Sequence, residues 1–301
     1  MPVDTVTGQG GGGTPRAAAG VLRLLSYNIQ TGITSERYRH YVTRSWQHIL
    51  PHPSRWQNLE RIALSVAPYD LVALQEVDSG SLRTGFVNQT QYLADRADFP
   101  HWHHQVNRRL GQLTQHSNGL LSRLPVRAVA DLKLPGLPGR GALVAWIGEP
   151  PALLTVFILH LALGKRARLR QAAFLADHIA VEPYPIVMGD LNCDPQSEEL
   201  RLLIEHTPLR PPAERLRTFP AWRPRRHIDH ILVTPALSPV RAYVPPWPFS
   251  DHLPIAMEIE LPPVFGADRP GRAWPHDQPT ATLPEPLAQA SLPHPRHGNL
   301  T

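Results

Sequence analysis

Residues 185–192 read Pro-Ile-Val-Met-Gly-Asp-Leu-Asn, an apolar run that stops abruptly at a carboxylate and an amide. Ile186–Met188 is short, rich in bulky apolar side chains and bounded by Pro and Gly, which predicts a strand. Side chains at strand ends converge at the rim of a sheet, where loops present them to a substrate. Asp190 and Asn192 are therefore read together with every other place where a strand meets a polar group.

That arrangement recurs along the chain. Candidate strands are Val21–Tyr27, Asp70–Gln75, Asn118–Ser122, Ala142–Ile147, Leu153–Leu159, Ile228–Val233 and Ile255–Glu260. The first is followed by Asn28, the second by Glu76 and Asp78, and the run TVFIL by His160. Asp229 and His230 open the strand IDHILV, and Asp251 with His252 precedes PIAMEIEL. Helices fit Ser54–Val66, with Ser54 as a cap, and Arg166–Val181, each carrying one apolar face. Many strands with few helices indicate an α/β sandwich-type enzyme fold.

Each polar position also has a structural reading. A carboxylate after a strand caps a helix or makes a turn, a lone histidine is commonly a hydrogen-bonded core imidazole, and Asp190 to Asn192 reads as an Asx turn. Phosphate-ester hydrolysis gives the set a common purpose. It needs a hard cation on carboxylate oxygens, an acceptor beside the attacking water, and donors aimed at oxygens that gain charge. Glu76, Asp190, Asn192, His160 and His252 match that inventory.

Composition sets the frame. The 301 residues are 42% hydrophobic, enough for a sizeable core, and Cys193 is the one cysteine, which excludes a disulfide scaffold and a multi-thiolate zinc site. The net charge of +5 is mild, but only Lys133 and Lys165 are lysines, so the basic charge sits on arginine, the side chain suited to bidentate phosphate contacts. Residues 1–20 read as a flexible leader, 21–261 as one folded domain without repeats, and 262–301 as a Pro-rich disordered tail able to dock a partner. No secretory signal or transmembrane segment is visible, so the expected location is cytoplasmic.

The motifs in order are SYN ending at Asn28, LQE at Glu76, LH at His160, GDLN at Asn192, IDH at His230 and SDH at His252. With the runs HSNGLLSRLPV from His116 and TFPAWRPRRHIDHILV from Thr218, the chain resembles the deoxyribonuclease I-like endonuclease/exonuclease/phosphatase superfamily, closest to its bacterial metal-dependent hydrolases. The resemblance spans nearly all of residues 21–261. It implies a four-layer DNase I-like β-sandwich, two mixed sheets flanked by helices, with the site at one open end. It also implies Mg²⁺ or Mn²⁺ held by Glu76, with Asn28 and Asp251 close to the metal or its waters. In that pattern Asp190 deprotonates the attacking water, Asn192 holds water and phosphate, His160 and His252 bind the scissile phosphate, and Asp229 polarises His252. Some members carry an acid where this chain has Gln30, which favours one strongly held metal over two.

Substrate choice stays open at this level. The reading is a phosphoesterase acting on a phosphodiester, with nucleic acid, lipid head group and small molecule all allowed. A phosphomonoesterase, or a binding protein of the same fold that lost turnover, is the alternative. Residues 33–53 read as a basic aromatic helix that is either a packed surface helix or a lid. His101–Gly111, rich in His and Arg, reads as a solvated loop. Thr218–Arg226 reads as a rim loop in which Phe219 and Trp222 pack, or Trp222 stacks on substrate. Cys193 reads as structural, since this chemistry needs no thiolate.

Overall fold

The computed structural model describes residues 20–32, 53–110, 114–136 and 138–266. Among them the chain runs β1 (Val21–Asn28), α1 (Pro53–Val66), β2 (Leu71–Asp78), α2 (Gln89–Ala97), β3 (His101–Leu110), β4 (Thr114–Ser122), β5 (Val126–Lys133), β6 (Gly141–Glu149), β7 (Ala152–His160), α3 (Lys165–Ile179), β8 (Pro185–Asp190), α4 (Glu198–His206), β9 (Asp229–Val233), β10 (Ser238–Tyr243) and β11 (Ile255–Glu260). The strands form a six-stranded sheet, β10-β11-β1-β2-β4-β3, and a five-stranded sheet, β5-β6-β7-β8-β9. Both are mixed: β1 runs parallel to β2 and β7 parallel to β8, and the other pairs are antiparallel.

Alternation along the strands sorts the core into three layers. Leu22, Leu24, Leu71 and Ala73 of the first sheet meet Val156, Ile158, Ile186, Met188 and Ile231 of the second. The opposite residues of the five-stranded sheet, such as Phe157, Leu159 and Val187, pack under Ala172, Leu175 and Ile179 of α3 and Leu200 and Leu203 of α4. Leu25, Val72 and Leu74 pack under Leu59, Ile62 and Val66 of α1 and Leu93 of α2. Central strands are thus apolar on both faces, which is why they read as unbroken hydrophobic runs. The result is the expected α/β/β/α sandwich.

A polar tie crosses the middle of the sandwich. Buried Asn118 of β4 donates through Nδ2 to the carbonyls of Gly141 (3.0 Å) and Ile158 (3.3 Å), joining one sheet to β6 and β7 of the other. Gln105 of β3 supports it by donating to the Ala142 carbonyl at 2.9 Å. Beside the site, Gly189 is required by contact: at φ +154° an added Cβ would lie 2.0 Å from the Leu159 carbonyl oxygen.

Several expectations are corrected. His101–Leu110 is an edge strand rather than a solvated loop, because β4 pairs with it along its length, with one bulge between Val106 and Arg108, a partner that its own polar composition does not advertise. Strands β5 and β10 and helices α2 and α4 were not foreseen. Helix α1 begins at Pro53, so Ser54 lies inside it and is not its cap. The ordered body passes Leu261: Pro263–Phe265 forms a 3₁₀ turn and Phe265 packs edge-on against Tyr184 at 5.1 Å, which removes residues 262–266 from the expected disordered tail. The leader up to Ala19, the segment 33–53 read as a packed helix or a lid (all but Pro53) and the tail from 267 lie outside the described residues. No helix among the described residues is long and apolar enough to cross a membrane.

Replacing Asn118 by Ala strands two buried carbonyls and opens a gap between the sheets. The expected cost is about 2–4 kcal/mol, read as a lower urea midpoint with an unchanged slope.

Candidate active site

Strand register builds the site. His160, Asp190 and Asp229 stand opposite one another across β7, β8 and β9, in the same phase as Ile158, Met188 and Ile231 of the inter-sheet core. Each therefore continues an inward apolar row and turns it polar where the strands reach the sandwich edge. Asn28 does the same at the end of β1, in phase with Leu22 and Leu24.

Glu76 breaks this rule. By alternation it would follow Val72 and Leu74 toward the helices. A bulge lies between Leu74 and Val77, where two residues of β2 oppose Asn118 alone, and Glu76 takes φ +55°. Bulges re-aim side chains, and a left-handed glutamate costs about 1–3 kcal/mol that the surrounding structure must supply. The outcome is a carboxylate 3.9 Å from His160 Nε2, on the inner side.

Asp190 is the centre of contacts. Its Oδ1 accepts the Asn192 backbone N–H at 2.9 Å, closing an Asx turn in which Asn192 sits at φ +54°. Its Oδ2 accepts from Asn28 Nδ2 at 3.3 Å and lies 3.5 Å from His160 Nε2 and 3.8 Å from His252 Nε2. Asn192 Nδ2 is tied to the Leu161 carbonyl at 3.0 Å. On the other side of His252, Nδ1 meets Asp229 Oδ2 at 2.9 Å, and the Thr218 hydroxyl donates to the same oxygen. Asp251 accepts from the Ser250 hydroxyl at 3.2 Å and acts on the others through its charge.

The structure thus joins Asn28, Glu76, His160, Asp190, Asn192, Asp229 and His252 by direct contact and brings Asp251 alongside. Thr218, which braces Asp229, and Phe219, whose ring lies 4.8 Å from the His252 ring, were not singled out for these roles by the sequence. Their signal was the run that starts at Thr218, read there only as a rim loop leading into Asp229. Half-buried Arg140 was missed altogether; its charge acts on Glu76 from the turn before β6.

The electrostatics are those of crowded acids. Burial, joined by the neighbouring Asp251, raises the Glu76 pKa, with His252, Arg140 and a hydrogen bond from Asn28 opposing. Burial likewise raises Asp190 and Asp251, with the His252 charge opposing. For His252 burial disfavours the charge, but Asp229, Asp190 and Asp251 overcome it and lift the pKa to about 10. His252 is an imidazolium at neutral pH. Behind it, burial lowers His227 to about 3 and lowers His230, whose Nε2 holds the Cys193 carbonyl at 2.8 Å. Cys193 is buried and its thiol pKa is pushed up to about 11 by burial, in keeping with a structural role.

A hard cation fits this donor set. Glu76, Asp190 and Asp251 crowd oxygen donors that burial has left reluctant to carry charge. Asp190, Asp229 and His252 also place one ligand atom each within 4.8 Å of one another. The Asp229 and His252 atoms of that trio are engaged with each other, and Asp229 with Thr218 as well. Glu76, hydrogen-bonded by Asn28, stays 30% exposed at its side chain.

Residues 25–252 match the model of the Endonuclease/Exonuclease/phosphatase family. The chain belongs to this family. Among solved structures, the family protein from Beutenbergia cavernae is 21% identical, with a TM-score of 0.62 over 80% of this chain and 72% of that one. A mannosyl-6-phosphatase from Bacteroides thetaiotaomicron is 17% identical, TM-score 0.60, covering 79% and 99%. The D. rerio TDP2 structure complexed with a single-strand DNA product is 16% identical, TM-score 0.56, covering 80% and 99%. These likenesses establish the shared fold. Comparison with curated proteins returned no match.

The raised His252 pKa has a stability consequence. Held above its ordinary 6.5, it contributes stability that is complete below that pH and lost as pH rises through about 10. The melting-temperature deficit of His252→Gln is expected to be fullest below pH ~6.5 and to shrink as pH climbs from there through ~10, measured calorimetrically. A deficit independent of pH would refute the charged pair.

Proposed function

We propose that this chain is a divalent-metal-dependent phosphoesterase that hydrolyses phosphodiesters. The observation that carries the reading is the convergence on Asp190 of an amide, two imidazoles and the Asn192 turn, with Glu76 re-aimed by a bulge to join them.

The proposed division of labour follows from the contacts. Glu76 would hold Mg²⁺ or Mn²⁺, with Asn28 and Asp251 beside it, and the bound cation would supply positive charge at the phosphoryl oxygens. Asp190 accepts the proton of the attacking water; its raised pKa makes it a stronger base than an ordinary aspartate while Asn28 and the Asn192 N–H hold its orientation. The imidazolium of His252, turned by Asp229, presents Nε2–H toward the space shared with His160 Nε2, and the two bind oxygens that gain charge. Asn192 keeps one amide hydrogen beyond its bond to Leu161 for water or phosphate. No covalent intermediate is required.

Two of the similar structures support the two substrate readings differently. The complex of TDP2 with a DNA product supports a nucleic acid substrate, and the mannosyl-6-phosphatase supports a monoester. The arginine-rich rim described below favours the diester.

An aryl phosphodiester assay tests the proposal. EDTA should abolish turnover and Mg²⁺ or Mn²⁺ restore it. Glu76→Gln and Asp190→Asn should each lower kcat by about 10²–10⁴-fold with melting unchanged or raised. Metal-stimulated cleavage in either variant at the wild-type rate would sink the mechanism. Release from an aryl monoester alone would shift the assignment to phosphomonoesterase.

A further inference from the structure

Between Arg215 and Arg226 the chain carries five arginines, Arg215, Arg217, Arg223, Arg225 and Arg226, and no carboxylate. All five are exposed. Several other arginines are paired, Arg96 with Glu60, Arg127 with Glu149, Arg168 with Glu199 and Arg241 with Glu258, whereas these five cluster on one loop. None of the five has a carboxylate partner among the described residues.

The segment is anchored to the site. Thr218 N and Phe219 N donate to the Arg226 carbonyl at 2.9 and 3.2 Å, and Arg225 N and Arg226 N return to the Phe219 carbonyl at 2.9 Å. The loop is stitched to the SDH turn by Ala221 N to the Asp251 carbonyl (2.7 Å) and by Leu253 N to the Thr218 carbonyl (2.9 Å). The Phe219 ring lies 4.8 Å from the His252 ring, and the Arg226 guanidinium stands over the same Phe219 ring at 5.9 Å. One aromatic ring is thus shared by the His252 imidazole and an arginine without a carboxylate partner.

A cavity of about 330 Å³ lies on this flank, lined by the cations Lys165, Arg168 and Arg226, the acids Asp194, Glu198 and Glu199, and Asn192 of the reaction centre. Lys165 and Arg168 are neutralised by Glu198 and Glu199. Arg226 is the cation there without a carboxylate, and Asn192 is the group shared with the reaction centre.

We infer that the substrate carries phosphate beyond the scissile one, and that Arg226 binds the next phosphate in the cavity beside Asn192, with Arg223 and Arg225 continuing the anionic track. This rests on the phosphoester reading of the site. A guanidinium matches a phosphate bidentately, and a polyanion gains from releasing counterions at each such contact. A phosphodiester strand and a small bisphosphate present the same chemistry to Arg226.

Binding separates the inference from the reading beneath it. The full-length Asp190→Asn chain is titrated calorimetrically, in Mg²⁺ buffer, with thymidine 3′,5′-bisphosphate against thymidine 5′-monophosphate. Fructose 1,6-bisphosphate against fructose 6-phosphate forms a second arm. The bisphosphate should bind about 10-fold or more tightly than its monophosphate, as one charge-assisted contact allows. Adding Arg226→Gln should bring that ratio within two-fold and Arg226→Lys restore part of it, while Arg241→Gln leaves it unchanged. A preference confined to the nucleotide pair assigns the second phosphate to a nucleic acid strand, and one in both pairs to any bisphosphate. Equal or undetectable binding of both members of each pair, or a ratio indifferent to Arg226, overturns the inference. Failure of the phosphoesterase reading shows elsewhere, as absent metal-stimulated cleavage of the aryl diester by wild type.

Discussion

The carboxylate of Asp190 is the constraint around which the rest is arranged. An ionised carboxylate moved from water into a protein interior is unstable unless donors and a counter-charge meet it. Here those partners come from separate parts of the chain: the Asn28 amide from the other sheet, the Asn192 N–H from its own turn, and the imidazoles of β7 and the β11 approach. Satisfying one buried acid therefore fixes how the open ends of the two sheets face each other. Asp229 extends the same logic by holding the His252 charge, and Thr218 by holding Asp229.

Two devices let a sandwich with a dry interior carry this group. Parity is the first: an inward row can be apolar along most of a strand and polar at its last residue without disturbing the core behind it. Ile158 to His160 and Met188 to Asp190 are each a single step of two residues. Local strain is the second. Glu76 and Asn192 both adopt positive φ. Asparagine tolerates that region through its short polar side chain, and glutamate does so only because the bulge opposite Asn118 leaves it no regular alternative. Asn118 is thus at once the tie between sheets and the residue facing the bulge.

Much of this was legible in the sequence, for a physical reason. Central strands advertise themselves by unbroken apolar runs, and their polar ends stand out against them, so β1, β2, β7, β8 and β9 and the groups they carry could be found by inspection. The motif resemblance then supplied roles and the fold. What stayed hidden depends on partners distant in sequence. Strand β3 is polar because it is an edge, held by β4 rather than by its own hydrophobicity. The bulge at Glu76 exists only in the register of β2 against β4, and the Phe219 contact with His252 only after the rim loop closes on the SDH turn. Arg140 lies in a Gly- and Pro-rich turn whose local sequence carries no trace of the acid it faces.

The site also divides its charge in space. Glu76, Asp190, Asp229 and Asp251 gather at the centre, where His252 neutralises part of the excess and burial strengthens what remains. The arginines without a carboxylate partner stand within a few residues of Thr218, and the Arg226 guanidinium lies 5.9 Å from the Phe219 ring. Opposite fields this close act on opposite partners: the centre favours a cation and the rim an anion, each making the other's ligand easier to hold. A phosphate ester that approaches along the arginines thus arrives where the acids have already concentrated positive charge. On the proposed reading, placement of the arginines matters more than their sum, and a chain of only +5 can draw a polyanion to an acidic centre.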